Sequence, residues 1–246
     1  MKKGNKIIKI LVIIFAISSI FSVTVFAFFT SSDSLTNKLI IGNVQANIAE
    51  DFNPNNSLQK ETVKKVKIEN TGKNNELVRV SIIPRWVDEN GNPWLGDTSF
   101  VHLNFNTNNV VSLNDIDKVK KDEWINGNDG YYYYSSILKH AKNISDGEND
   151  RNIAPQERYE KSNDNTKQNF TSQLLDSVSL NTKNMTPNDL ERYKGKKLII
   201  DVNVEAIEPH YEIKNDNNIK TPITQNWPSI NTKLKYYLEN LNNKVN

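Results

Sequence analysis

The sequence predicts an all-β fold, an antiparallel jelly-roll-like β-sandwich with long loop insertions, one short helix and a C-terminal amphipathic helix. Three observations lead there. Several stretches alternate apolar and polar residues with a period of two, the mark of strands with one buried face. Irregular Asn-, Asp- and Gly-rich connections join them in place of regular helices, which favours antiparallel sheets over a βαβ arrangement. At 246 residues the chain is also long enough to bury a substantial core.

The first element is not a strand. Lys2, Lys3, Lys6 and Lys9 precede an apolar run over 10–29. A basic start, an apolar middle and small residues before a break are the order of a secretory signal. Val25 and Ala27 supply the two small side chains a signal peptidase accommodates, so 1–27 is expected to be removed between Ala27 and Phe28. The alternative is an uncleaved anchor, since about 20 apolar residues span a bilayer. In both cases the lysines hold the start on the cytoplasmic side and the remainder faces outward. The expected membrane contact is through this leader alone, before it is cut. No acidic residue lies in the first 27, so losing the four lysines takes the formal charge from +2 to −2. That leaves no basic footprint for nucleic acid. Cysteine is absent, which removes disulfides, thiol catalysis and cysteine metal sites together, as in many proteins exported from Gram-positive bacteria. Asparagine is abundant and is attributed to codon bias.

The strands follow in order. Ala46 and Ile48 continue the face of Val44, while Asn43, Gln45 and Asn47 take the other. After a turn-rich break at 51–57, a strand is expected over 62–69 with Val66 and Ile68 inward. Another runs over 77–87 with Val78, Val80 and Ile82 inward, and Pro84 demotes its far end to an edge or bulge. These two are expected to form a hairpin turning at 72–75. A short segment follows at 101–105, then a strand from Trp124 and Tyr131 to about Leu138. Four consecutive tyrosines, 131–134, put two rings on each face. They serve either as a stacking platform for a sugar or peptide, with Trp124, or as two core rings and two surface-capping rings; the second is preferred.

The stretch 140–169 is polar and long, and is expected to be a surface insertion and not a domain boundary. Strand pattern returns over 170–180 with Leu174, Val178 and Leu180 on one face; Asp176 shares that face and puts the register in question. Thr186 and Pro187 read as cap and first position of a short helix that Gly195 ends. The clearest strand comes next, with Ile200, Val202, Val204 and Ala206 inward and Asp201, Asn203 and Glu205 outward. Residues 209–246 form a polar tail whose Leu234, Leu238, Leu241 and Val245 recur at helical spacing. That helix packs either on the sandwich, which is preferred, or on a partner.

No catalytic site emerges, and the expectation is a protein that is not an enzyme and needs no cofactor or metal. His102, His140 and His210 are dispersed and fit no zinc motif. No nucleophile elbow or phosphate loop is present. The oxygen-rich loops at 126–130 and 146–150 lack calcium-site spacing and read as turns. A lysine beside an Asn or Asp carbonyl can form an isopeptide bond in sandwich proteins; Lys38 and Lys64 are candidates for that part.

The leader running into Ala27-Phe28-Phe29-Thr30, a Thr/Ser/Asp-rich linker with Asn37, and Gly42-Asn43-Val44 resembles the TasA/camelysin-like family of SipW-dependent exported proteins. Lys67-Ile68-Glu69-Asn70-Thr71-Gly72, Val78-Arg79-Val80, Asp129-Gly130-Tyr131-Tyr132-Tyr133 and Val204-Glu205-Ala206-Ile207 are similar to segments of clostridial members, among them biofilm pilin-like subunits. The resemblance reaches about Ile207; the tail and the insertion at 140–169 are less covered. It implies a jelly roll, a dedicated signal peptidase, secretion, and fibres of the extracellular matrix. It also implies a donor strand, here 28–41, that completes the sheet of a neighbouring copy or of a related minor subunit. The donor residues are then Phe28, Phe29, Leu35, Leu39, Ile40 and Ile41, followed by a sandwich domain over 42–208. Relatives classed as metalloproteases supply an alternative function, from whose zinc signature this sequence departs; a surface module for glycan or protein is the other.

Overall fold

The computed structural model describes residues 39–41, 46–52, 61–140, 155–163, 168–209, 213–215, 218–220 and 222–243. The expected leader, the cut at Val25, Ala27 and Phe28, and donor positions Phe28, Phe29 and Leu35 lie outside them, as do Lys38, Val44, His210, Val245 and the loop 146–150. The strands are β1 (Leu39–Ile41), β2 (Ala46–Phe52), β3 (Thr62–Asn70), β4 (Leu77–Val87), β5 (Pro93–Trp94), β6 (Val101–Phe105), β7 (Val110–Ser112), β8 (Trp124–Asn126), β9 (Tyr132–Tyr134), β10 (Leu175–Leu180), β11 (Lys197–Ile207), β12 (Ile213–Asn215) and β13 (Asn218–Lys220). The α-helices are α1 (Pro155–Lys161), α2 (Pro187–Arg192), α3 (Pro222–Asn226) and α4 (Thr232–Asn243). Among the described residues no helix is long and apolar enough to cross a membrane.

Two sheets dominate. The larger has seven strands in the order β1-β11-β4-β9-β8-β7, with β5 also on β4; the smaller runs β2-β3-β10-β6. Alternation decides which face of each strand turns inward. Val78, Val80 and Ile82 of β4 and Val202, Val204 and Ala206 of β11 share one core with Ala46, Ile48, Val66, Ile68, Leu174, Leu175 and Val178 of the smaller sheet. The β12–β13 hairpin stands apart from both sheets.

The expected hairpin of β3 with β4 does not form. β3 pairs with β2 and β10, while β4 pairs with β11, β9 and β5, so the chain crosses between sheets at 71–76. Asn70 makes the corner: its side chain accepts from the Gly72 N–H and donates to the carbonyls of Asn74 and Leu138. Two strands with one apolar face each satisfy the same pattern side by side or face to face, and the corner selects the second. Pro84 sits in a central strand, paired to β11 on one side, at a point that neither β9 nor β5 reaches on the other. A missing N–H is tolerated there. The sheets are also not purely antiparallel, since β1–β11 and β7–β8 are parallel pairs.

Asp176 occupies a bulge. The register of β10 shifts between Leu175 and Ser177, which turns Leu174, Leu175 and Val178 inward and leaves the Asp176 carboxylate accepting from Asn106 and Gln173. The short helix after Thr186 is present as α2 with a full capping box, Thr186 and Asp189 exchanging side-chain to backbone bonds. Helix content exceeds the one short and one C-terminal helix expected. The polar insertion contributes α1, held by a buried ion pair 2.5 Å long between Arg158 and Glu69. The tail adds α3 beside α4. Trp227, Leu234, Leu238 and Ile223 cover Leu77, Ile125, Tyr133 and Ile207 on the outer face of the larger sheet, making a second core.

Candidate assembly edge

The candidate site is the outer edge of β11. Its alternation makes a long strand, and β4 binds one side of it along the whole length, from Lys197 against Val87 to Ile207 against Leu77. The outward residues pair across to β4: the Arg79 guanidinium donates to Glu205 at 2.7 and 2.9 Å, Arg85 to Asp201 at 2.5 Å and Asn203 to Ser81 at 3.4 Å. Arg79 also lies 3.9 Å from the Tyr131 ring centre and 5.0 Å from that of Trp227. Such charge pairing and stacking fix β11 against its neighbour.

The other side of β11 is covered differently. β1 lies there in parallel, with Leu39 level with Glu205, Ile40 with Ala206 and Ile41 with Ile207. The expected donor residues Leu39, Ile40 and Ile41 thus sit on the sheet of their own chain. Among the described residues no strand pairs with Lys197–Val204 on that side. Burial follows the coverage. The inward side chains Val202, Val204 and Ala206 are buried, whereas Leu198 and Ile200 are half-buried.

At the Lys197 end the interior is closed by aromatic rings. Tyr193 meets Trp86 and Trp94 edge-on, each at 4.8 Å between ring centres, and Phe100 at 5.8 Å. Met185, Leu180, Val101 and Leu198 complete the cluster. Gly96 is required beside it, because a Cβ there would lie 2.6 Å from both tryptophan rings. The loop it serves holds Leu95 out, 95% exposed.

Trp124 is fully buried and donates to the Ser172 carbonyl at 3.1 Å. Tyr132 and Tyr134 join the core between the sheets, and Tyr131 and Tyr133 join the core under α3 and α4. Tyr133 and Tyr134 are buried and Tyr131 and Tyr132 half-buried, so each face of the run carries one enclosed ring and one partly covered ring. Burial raises the phenol pKa values: Tyr132 is pushed up to about 12, and Tyr133 and Tyr134 higher still, Tyr133 helped by the hydrogen bond it donates to Asp129 at 2.7 Å. In the loop 126–130 the Asp129 carboxylate accepts from Tyr131 N–H and Tyr133 O–H, and Asn128 donates its N–H to Asn126, an Asx-turn arrangement. His102 lies on β6 and His140 follows Leu138, both exposed. Among the described residues no three His, Asp or Glu side chains converge as metal ligands. Lys64 is buried on β3, level with Phe52 of β2.

The periodicity of 200–206 marked β11 as a strand but carried no sign of its edge position, because inward alternation looks the same with one neighbour or two. The aromatic cluster is assembled from Trp86, Trp94, Phe100 and Tyr193, whose spacing has no local motif. No family model matches the chain, and neither the curated proteins nor the solved structures provide a match.

Proposed function

We propose that this chain is a structural subunit of an extracellular fibre, exported by its leader and polymerised when residues 28–41 of one copy add to β11 of the next. One observation carries this: β1 covers three residues of an eleven-residue strand, and its edge continues uncovered over Lys197–Val204 among the described residues. A strand edge with unpaired backbone groups is a template for another chain. Because β1 already sits on β11 of its own chain, the same pairing made between copies is a strand exchange. A head-to-tail contact of that kind which does not close makes a filament. The resemblance to TasA/camelysin-like proteins supports the same reading, including the jelly-roll form of the sandwich, signal-peptidase release of Phe28, and a place in a biofilm matrix. The acceptor is a second copy or a related minor subunit.

Electron microscopy of a chain beginning at Phe28, beside one beginning at Leu39, tests the proposal. Filaments are expected from the first and monomers from the second. Monomers from both, across salt and pH, would remove the proposal.

A further inference from the structure

We infer that α1 is an edge guard, which keeps β2 of one copy from pairing with β2 of another. The inference stands apart from the strand exchange proposed above, because it concerns the edge of the other sheet.

β2 ends the smaller sheet, and among the described residues no strand pairs with its outer side. It is seven residues long, whereas the edge strands β1, β5 and β7 have two or three residues and β6 has five. Proteins blunt such edges with proline, lysine, a bulge or a covering element. Ala46–Phe52 contains no proline and no lysine, and its charges, Glu50 and Asp51, fall together near one end. Its register against β3 runs unbroken, from Ala46 level with Asn70 to Phe52 level with Lys64, so no bulge twists it away. Cover is the device that remains.

α1 supplies it. The helix backbone runs closest to β2, while its side chains reach past that strand. Arg158 meets Glu69 of β3 at 2.5 Å, Lys65 and Lys67 of β3 lie 5.8 and 5.1 Å from the Tyr159 ring centre, and the Tyr159 hydroxyl donates to Gln173 at 2.6 Å. A helix with its side chains is about 10 Å across and neighbouring strands lie about 4.8 Å apart, so a helix seated on β2 overhangs the place of a further strand. α1 is helical because the sheet holds it. Its seven residues fall short of the roughly 12 to 15 that an isolated helix needs, and Pro155–Lys161 contains no aliphatic residue. A buried ion pair fixes position more surely than it adds stability, and the position fixed here is over β2.

The partner shut out is a second copy. An antiparallel pair of β2 strands centred on Ala49 is self-complementary. That register sets Glu50 and Asp51 level with Ile48 and Asn47 of the other strand, away from the other strand's acidic pair.

The test uses the chain beginning at Phe28. Glu160 is exposed on α1, and Glu160→Pro breaks the helix without altering β2 or β3. Glu69→Gln/Arg158→Met frees α1 from the sheet side, should the proline variant fail to fold. Either variant is expected to associate as concentration rises, with the β2 amides that face away from β3 exchanging about ten-fold or more slowly than in dilute protein. In the unaltered chain and in Glu160→Ala, β2 exchange is expected to be the same at every concentration, whether or not β11 assembles them. Leu238→Ala, which loosens a different helix, controls for general loss of stability. Loss of α1, seen as fast exchange across Glu157–Lys161, with β2 exchange independent of concentration would overturn the guard. Equal slowing at β2 in Leu238→Ala would overturn it too. Failure of the unaltered chain to assemble would remove strand exchange and leave the guard to be judged on β2.

Discussion

Two polar groups show how single residues hold this fold, the first of them Glu69. Its carboxylate sits on β3 with 4% of the side chain exposed, and Arg158, equally enclosed, reaches it from α1 at 2.5 Å while Asn169 donates at 3.3 Å. Removing one partner of a buried ion pair strands the other charge, so Arg158→Met should cost about 3–5 kcal/mol, read as a lower urea midpoint. Adding Glu69→Gln to that variant should restore a large part of the loss, because no charge is then left alone; an additive loss would contradict the ion-pair account. The tyrosines make the second case. An unfolded phenol titrates near 10, and Tyr132 is held at about 12 by burial, with Tyr133 and Tyr134 above it. Above about pH 10 the unfolded chain sheds protons that the folded chain keeps, so this stability is full below that pH and is lost as pH rises through the folded values. A late component of the tyrosinate absorbance should therefore rise together with loss of tertiary circular dichroism above about pH 10 to 12, and titration of all nine tyrosines with the tertiary signal intact would contradict this.

Elements were legible in proportion to how far neighbours left their pattern alone. β3, β4 and β11 stand where alternation put them, and α2 stands where Thr186, Pro187 and Asp189 signalled a helix start. The pairing of β3 with β4 was misjudged because Asn70 turns the chain between sheets through side-chain bonds that no periodicity encodes. α1 was hidden in a polar stretch because its hold on the sheet is an ion pair and Tyr159, not an apolar stripe. The amphipathic spacing of Leu234 and Leu238 did foretell α4, though not that it makes a second core with Tyr133 and Trp227. Leu238, 1% exposed, ties that helix to the outer face of the larger sheet. Leu238→Ala should cost about 2–5 kcal/mol in denaturant unfolding. A change below about half a kcal/mol, the usual range for surface substitutions, would show that α4 rides loosely on the sheet.

For the whole molecule, the alternating segments and irregular connections pointed to packed antiparallel sheets, and two sheets share a core here, with a second core under α3 and α4 on the outer face of the larger sheet. The edge position of β11 was not legible. Whether β11 has one neighbour or two depends on contacts distant in sequence, and on an N-terminal segment that pairs for only three described residues. Among the described residues, β11 is flanked on its outer side by β1 at the Ile207 end and by no strand at the Lys197 end, near which the aromatic cluster lies. Under the proposed strand exchange, residues 28–41 of a second copy cover this stretch of β11. Amide hydrogen exchange tests that claim most directly, comparing the monomer with assembled protein across Lys197–Val204. Strand exchange predicts that alternate amides along this stretch, those facing the edge, slow markedly on assembly while the exposed Leu95 loop backbone between its hydrogen-bonded residues changes less. Assembled protein whose Lys197–Val204 amides exchange as they do in the monomer would contradict the account.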